Sequence, residues 1–150
     1  MQIRSAQIED IPEIITMITE LAAYEKAVDE VSIRADQLKE DGFGKNPLFE
    51  VFIAENENDI LGMAFCYKAY STWKGRVFYL EDIIVKQEYR RMGIGAALFE
   101  TVRKRAKDFG AARLQWQVLE WNDPAIQFYN KISAALDPEW INCKLNKEQL

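Results

Sequence analysis

The sequence predicts an α/β domain, a mixed and mostly antiparallel sheet with helices on both faces. Three observations carry that reading. Apolar, β-rich runs at 49–54, 60–69 and 76–85 are joined by short polar turns, the mark of an antiparallel meander. Apolar residues recur at helical spacing before and after that meander. The 150 residues are 49% hydrophobic and 29% charged, with no repeat and no Pro/Gly/Ser linker, so a single folded domain is expected.

Residues 2–6 read as a first strand. Asp10-Ile11-Pro12-Glu13 follows as a helix start, with Asp10 as cap, Pro12 in the first turn and Glu13 at capping-box spacing. Ile11, Ile14, Ile15, Ile18, Leu21 and Ala22 then form one buried face. A second helix is expected over 34–40, ended by Asp41-Gly42-Phe43-Gly44. Beyond the meander, 86–92 is a charged loop and Gly93-Ile94-Gly95 opens a helix running to Phe109. Ile94, Ala97, Leu98, Thr101, Val102, Ala106 and Phe109 line one face of it, and Gly110 supplies the stop. Residues 113–118 are a strand. Asp123-Pro124 gives the next helix a cap and an N1 proline, and that helix carries Ala125, Ile126, Phe128, Tyr129 and Ile132. Residues 140–145 read as a last strand, completing the order β-α-α-β-β-β-α-β-α-β.

Composition excludes several kinds of chemistry. Lys and Arg number 19 against 24 Asp and Glu, a net charge of −5. An acidic chain is a poor match for nucleic-acid phosphates and a better one for a cationic partner. There is no histidine, so a Ser-His-Asp triad, a Cys-His pair and an HExxH zinc site are all excluded. Acid–base work falls to carboxylates, Tyr, Lys, Cys or groups of the substrate. Cys66 and Cys143 are too few for a disulfide framework or a metal site and read as buried thiols of a reducing compartment. No apolar run reaches the roughly 18 residues of a membrane span. The first residues lack the apolar core of a signal peptide, so a cytoplasmic protein with no membrane partner is expected.

The segment from Val85 to Ala96 carries the most chemistry. A strand ends, Arg90 and Arg91 enter, and two glycines flank Ile94 at a helix start. Such a terminus offers unbonded N–H groups and a partial positive charge. A P-loop needs Lys and Ser or Thr after its last glycine, but Ala96-Ala97 follow here. A Rossmann fingerprint needs a third glycine, where Leu98 stands. A tight turn and a pyrophosphate cradle remain the two readings of this segment by itself.

Arg90-Arg91-Met92-Gly93-Ile94-Gly95 resembles the Arg/Gln-x-x-Gly-x-Gly/Ala signature of the GNAT acetyltransferases. Ile83-Ile84-Val85, Asn122 and Phe128-Tyr129 fall where that family has them. Tyr24-Glu25, Glu40-Asp41-Gly42-Phe43-Gly44, Tyr79-Leu80-Glu81-Asp82 and Glu120-Trp121-Asn122-x-Pro124 look like its diamine and thialysine N-acetyltransferase branch. The resemblance implies a GNAT fold, a homodimer, and acetyl-CoA as donor to a primary amine of a small cationic acceptor. It implies that Ile83, Ile84, Val85, Arg90, Arg91, Met92, Gly93, Ile94, Gly95, Ala96, Asn122 and Tyr129 hold the donor. It also implies that Tyr24, Glu25, Glu81, Asp82 and Glu139 meet the acceptor, with Glu81 as base through ordered water and Tyr129 as acid. Three departures stand out: Ser133 and Ala134 occupy the stretch where the family has a glycine after the tyrosine, the turn at Glu55 to Asp59 is shorter than in the animal polyamine enzymes, and the stretch around Glu139-Trp140 differs.

The residues also argue for themselves. An amine with a pKa near 10.4 lies about 4.6 kcal/mol from its neutral form at pH 7, so a base is needed, and without histidine a carboxylate is the candidate. Strand alternation places Glu81, Ile83 and Val85 on one face unless a bulge intervenes, and turns Asp82 the other way. A salt bridge is the alternative role for Glu81, and a solvated carboxylate for Asp82. Tyr129 can give a proton to a thiolate or be a core tyrosine. Asn122 can hold the donor or cap a helix. Glu120 adds negative charge, and Trp73, Trp121 and Trp140 can flank an aliphatic cation or simply pack. Two other functions stay open: the same transfer to thialysine, a lysine-like amino acid or a protein amine, and a non-catalytic acyl-CoA sensor.

Overall fold

Pairing sorts the strands of this computed structural model, which describes residues 1–150, into one five-stranded sheet. β1 (Gln2–Ser5), β2 (Glu50–Glu55), β3 (Ile60–Ser71), β4 (Gly75–Val85) and β5 (Arg113–Gln115) lie across it in chain order. The first four pair antiparallel and β5 joins β4 in parallel. Side chains set the two tight turns of the meander. Asn56 accepts from the N–H groups of Asn58 and Asp59 at 2.9 and 2.8 Å, and Ser71 Oγ accepts from those of Trp73 and Lys74.

Both faces of the sheet are covered, which is why β2 and β3 read as nearly continuous apolar runs. On one face Val51, Ile53, Met63 and Ile84 pack with Ile11, Ile14 and Met17 of α1 (Ile11–Tyr24) and Leu38 of α2 (Ala35–Phe43). On the other, α3 (Ile94–Asp108) lays buried Leu98, Phe99, Val102 and Ala106 against β2, β3 and β4. Each large side chain fully buried there contributes about 1.5–3 kcal/mol. Arg105 of α3 is tied to Glu50 of β2 by two hydrogen bonds, at 2.6 and 2.7 Å.

The chain resolves into two compact units, Met1–Trp116 and Gln117–Leu150. The first holds the sheet and α1 to α3. The second holds α4 (Asp123–Lys131). Ser133 follows α4 with φ +59°, so the left-handed turn is kept without the glycine that usually makes it.

Several expectations are corrected. Residues 140–145 form no strand; their apolar side chains, Trp140 and Ile141 among them, are exposed. Composition alone does not make a strand without a partner edge. β5 is three residues long rather than six. Asp10 makes no side-chain hydrogen bond to the start of α1. Its carboxylate instead accepts from the Gln7 N–H at 2.7 Å and from Arg4 at 2.6 and 2.9 Å. Asn122, not Asp123, caps α4. α2 runs through Gly42 to Phe43. Cys66 is buried as expected but Cys143 is exposed, and both are free. No helix is long and apolar enough to cross a membrane.

Candidate functional site

Two half-sites lie along β4 in the first unit. One is the corner where α3 begins. Gly93 has φ +81°, a conformation in which a side chain is strained. A β-carbon there would meet nothing within 4 Å, and one at Gly95 would meet only Val85 Cγ2 at 3.7 Å. No side chain caps this terminus and no acidic residue sits in its first turn. Its first N–H groups therefore have no side-chain acceptor, and the positive end of a 15-residue helix lies behind them. Arg90, Arg91 and Met92 are exposed beside it. Arg90 Nε donates to the Val85 carbonyl at 3.0 Å, and its guanidinium lies 5.5 Å from the centre of the Tyr24 ring. Of the preceding residues, Ile84 is buried in the core beneath α1, while Ile83 and Val85 are half-buried.

The other half-site is acidic, and a fault in β4 creates it. Phe65 of β3 pairs with Asp82, but the next residue, Cys66, pairs with Leu80. Glu81 is therefore one residue too many, a β-bulge. Beyond it the alternation is reset, so Asp82 and Ile84 face α1 while Val85 turns toward α3. This overturns the expectation that Glu81 shares a face with Ile83 and Val85 and that Asp82 points away from it. Glu81 and Asp82 line one cleft of about 420 Å³, together with Glu25, Glu30 and apolar residues including Ile18, Leu21 and Ile33.

No lysine or arginine lines this cleft, and Glu25, Glu81 and Asp82 take part in no ion pair. Burial, reinforced by the charges of Glu81 and Glu25, pushes the Asp82 carboxyl up to about 6. Burial also raises the Glu25 carboxyl. Carboxylates held together without countercharge favour a ligand that brings positive charge. Val85 lies four residues beyond Glu81, about 13 Å along the strand, so one β4 segment carries the acidic cleft at one end and contacts the glycine corner at the other. The end of α1 also touches both, because Tyr24 meets Arg90 while Glu25 lines the cleft.

The structure thus brings Glu25, Glu81 and Asp82 together and sets Tyr24 apart, under Arg90. Glu139 is an exposed residue of the second unit whose N–H bonds the Asp137 carboxylate at 3.1 Å. Asn122 caps α4, its side-chain oxygen accepting from the Ala125 N–H at 3.4 Å. Tyr129 is buried, and burial pushes its phenol up to about 12. The Cys66 thiol, also raised by burial, is no nucleophile. Two residues escaped sequence reasoning. Glu30 joins the cleft from the loop after α1. Tyr67 of β3, stacked on Tyr79 at 4.9 Å, is pushed up to about 12 by burial and by the nearby charge of Glu81. Only the register of the bulged ladder reveals that neighbour.

The sequence profile of the Acetyltransferase (GNAT) family matches residues 13–133. A thialysine N-epsilon-acetyltransferase of Sus scrofa is 41% identical over 140 residues, 88% of this chain and 82% of that protein. A spermidine/spermine N(1)-acetyltransferase-like protein of Homo sapiens is 36% identical over 99% of this chain and 23% of its own length. Among solved structures, an aminoglycoside acetyltransferase from an uncultured soil metagenomic sample superposes with a TM-score of 0.78 at 20% identity, covering 97% of this chain and 95% of that one. A Bacillus halodurans protein reaches 0.80 at 19% identity, covering 97% and 100%. With the uncapped glycine corner at α3 and the bulged fourth strand already in place, these matches settle the family: the chain belongs to the GNAT acetyltransferases.

Proposed function

We propose that this enzyme moves the acetyl group of acetyl-CoA directly to a primary amine of a diamine or polyamine. The observation that carries the reading is the cleft in which Glu25, Glu81 and Asp82 stand together and take part in no ion pair. An aliphatic dication satisfies those charges, and Ile18, Leu21 and Ile33 give its methylenes an apolar wall. GNAT acetyltransferases use acetyl-CoA as donor, and the α3 corner fits its diphosphate: open space at Gly93, free N–H groups and two exposed arginines. Arg90, Arg91 and the backbone from Gly93 to Ala96 hold it there, and the donor supplies an acetyl group activated as a thioester.

Glu81 takes the ammonium proton, directly or through water, and frees the nitrogen lone pair for the thioester carbonyl carbon. As the N–C bond forms and the C–S bond breaks, Tyr129 gives its proton to the departing sulfur, and the second proton that nitrogen loses on becoming an amide returns through water to the phenolate. A phenol kept neutral by burial is a donor at every physiological pH. Asp82 and Glu25 hold the acceptor's charge. Both units belong to one acetyltransferase domain in this reading, as the span of the family match across residues 13–133 supports. A cytoplasmic homodimer completes the proposal, its assembly to be read by sedimentation.

A second reading, transfer to thialysine, draws support from relatives of that name at 38–41% identity. Against it, an amino-acid acceptor brings its own carboxylate into a cleft already crowded with them. CoA release measured with spermidine, putrescine, thialysine and an N-terminal peptide separates the readings. The highest kcat/KM is expected for spermidine or putrescine. A thialysine preference inverts the order, and donor binding without CoA release for any amine leaves only a sensor. Tyr129→Phe should cut turnover about a hundredfold while donor affinity holds.

A further inference from the structure

Gly42 has no conformational reason to be in a helix. It sits inside α2 without a positive φ, where alanine is ordinarily about 1 kcal/mol better. What excludes alanine is a ring. A β-carbon at Gly42 would lie 2.3 Å from Phe49 Cζ and 2.4 Å from Cε2. Phe49 has nowhere easy to go, because its ring is packed on that of Phe65 with centroids 4.3 Å apart. Phe65 in turn is the residue paired across the ladder with Asp82, at the edge of the bulge. Cross-strand pairs share a face, so Phe65 stands beside Asp82 on the side of α1. Ile18, Leu21 and Ile33, which wall the acidic cleft, pack into the same cluster as Phe49 and Phe65.

We propose that Gly42 is a positioning residue for the acceptor: the column Gly42–Phe49–Phe65 fixes where Asp82 sits in the cleft. The proposal rests on reading that cleft as the acceptor site. A methyl group at position 42 drives the two rings toward β4 and displaces the Asp82 carboxylate. A displacement on the order of 1 Å is enough to spoil a charged contact. The donor corner is spared, since its contact with β4 is through Val85, on the opposite face.

The test is steady-state kinetics with spermidine, or with the best acceptor of the panel, alongside acetyl-CoA affinity by calorimetry. Gly42→Ala should raise acceptor KM about tenfold and leave donor Kd within about twofold. Adding Phe49→Leu makes room for the methyl and should bring acceptor KM most of the way back. An unchanged acceptor KM, or a raised one that Phe49→Leu does not lower, overturns the proposal. If Gly42→Ala does not fold, Phe65→Leu takes its place: it should raise acceptor KM with donor Kd unmoved, and an unmoved acceptor KM overturns the idea. Asp82→Asn in the parent chain keeps the two levels apart. If it leaves acceptor KM alone, the cleft is not the acceptor site and the proposal falls with that reading. If it raises KM while Gly42→Ala and Phe65→Leu do not, the column alone is wrong.

Discussion

The first unit has two acidic hollows, and they are opposites. One, of about 360 Å³ beside the β2–β3 turn, is lined by Glu13, Glu55, Glu57 and Asp59 along with Arg4. There the fold supplies the countercharge. Arg4 reaches Asp10 at 2.6 Å and Glu55 at 2.7 Å, and Lys86 reaches Glu13 at 2.9 Å and Asp59 at 2.7 Å. Hydrogen bonds from Arg4 hold the Asp10 and Glu55 carboxyls below their ordinary range, and one from Lys86 does the same for Asp59. In the cleft under α1, Asp82 and Glu25 take part in no ion pair and are raised instead. Carboxylates are braced in one place, while in the other Glu25, Glu81 and Asp82 are left without an ion pair. The difference is whether the chain itself brings the positive charge.

The sharpest way to break this contrast is activity. Glu81→Gln should lower turnover about a hundredfold at neutral pH and recover in part at high pH, where free amine is plentiful. Asp59→Asn, in the braced hollow, should change turnover by less than about twofold. Equal losses would erase the distinction. Acidity probes it next. With Asp82 near 6, kcat/KM should fall about tenfold per unit below that value, and Asp82→Asn should remove this limb of the profile.

Stability gives the smallest effects, of opposite sign. Asp82 binds its proton more tightly folded than unfolded, so between about pH 4 and 6 its contribution worsens as pH rises. Above that window the full penalty stands. Asp10 is the reverse: it stabilises above the ordinary carboxylate pKa, and that is lost as pH falls through its lowered folded value. At pH 7, Asp10→Asn should lower Tm by about 4–8 °C. Asp82→Asn should raise it by about 2–6 °C. Differential scanning calorimetry reads both, and a common sign would mean the two hollows are not different in kind.

Much of this contrast was legible in the residues and its decisive part was not. The apolar runs and helical periods located α1, α3 and the meander, and the paired glycines located the uncapped start of α3. Glu81 was recognisable as a candidate because a charge within an apolar strand is costly, and Glu25 and Asp82 through the family resemblance. That Glu81 and Asp82 share a cleft was hidden. Alternation along one strand is local, whereas a bulge exists only relative to its partner, and Cys66 and Phe65 carry no mark of it. Tyr67 was hidden for the same reason. Residues 140–145 misled in the other direction, since β-favouring side chains state a preference that only a neighbouring edge can fulfil. That the Tyr24 ring lies against Arg90 was not legible either.

Because Glu81 has no counterpart on β3, the ladder is complete without it. Removing that single residue leaves Leu80 opposite Cys66 and Asp82 opposite Phe65, an unbroken zigzag. The shortened protein would have a straighter sheet and would lose the Glu81 carboxylate from the cleft. In this fold an acidic side chain is gained or lost by one codon's insertion or deletion, with no neighbour needing to change.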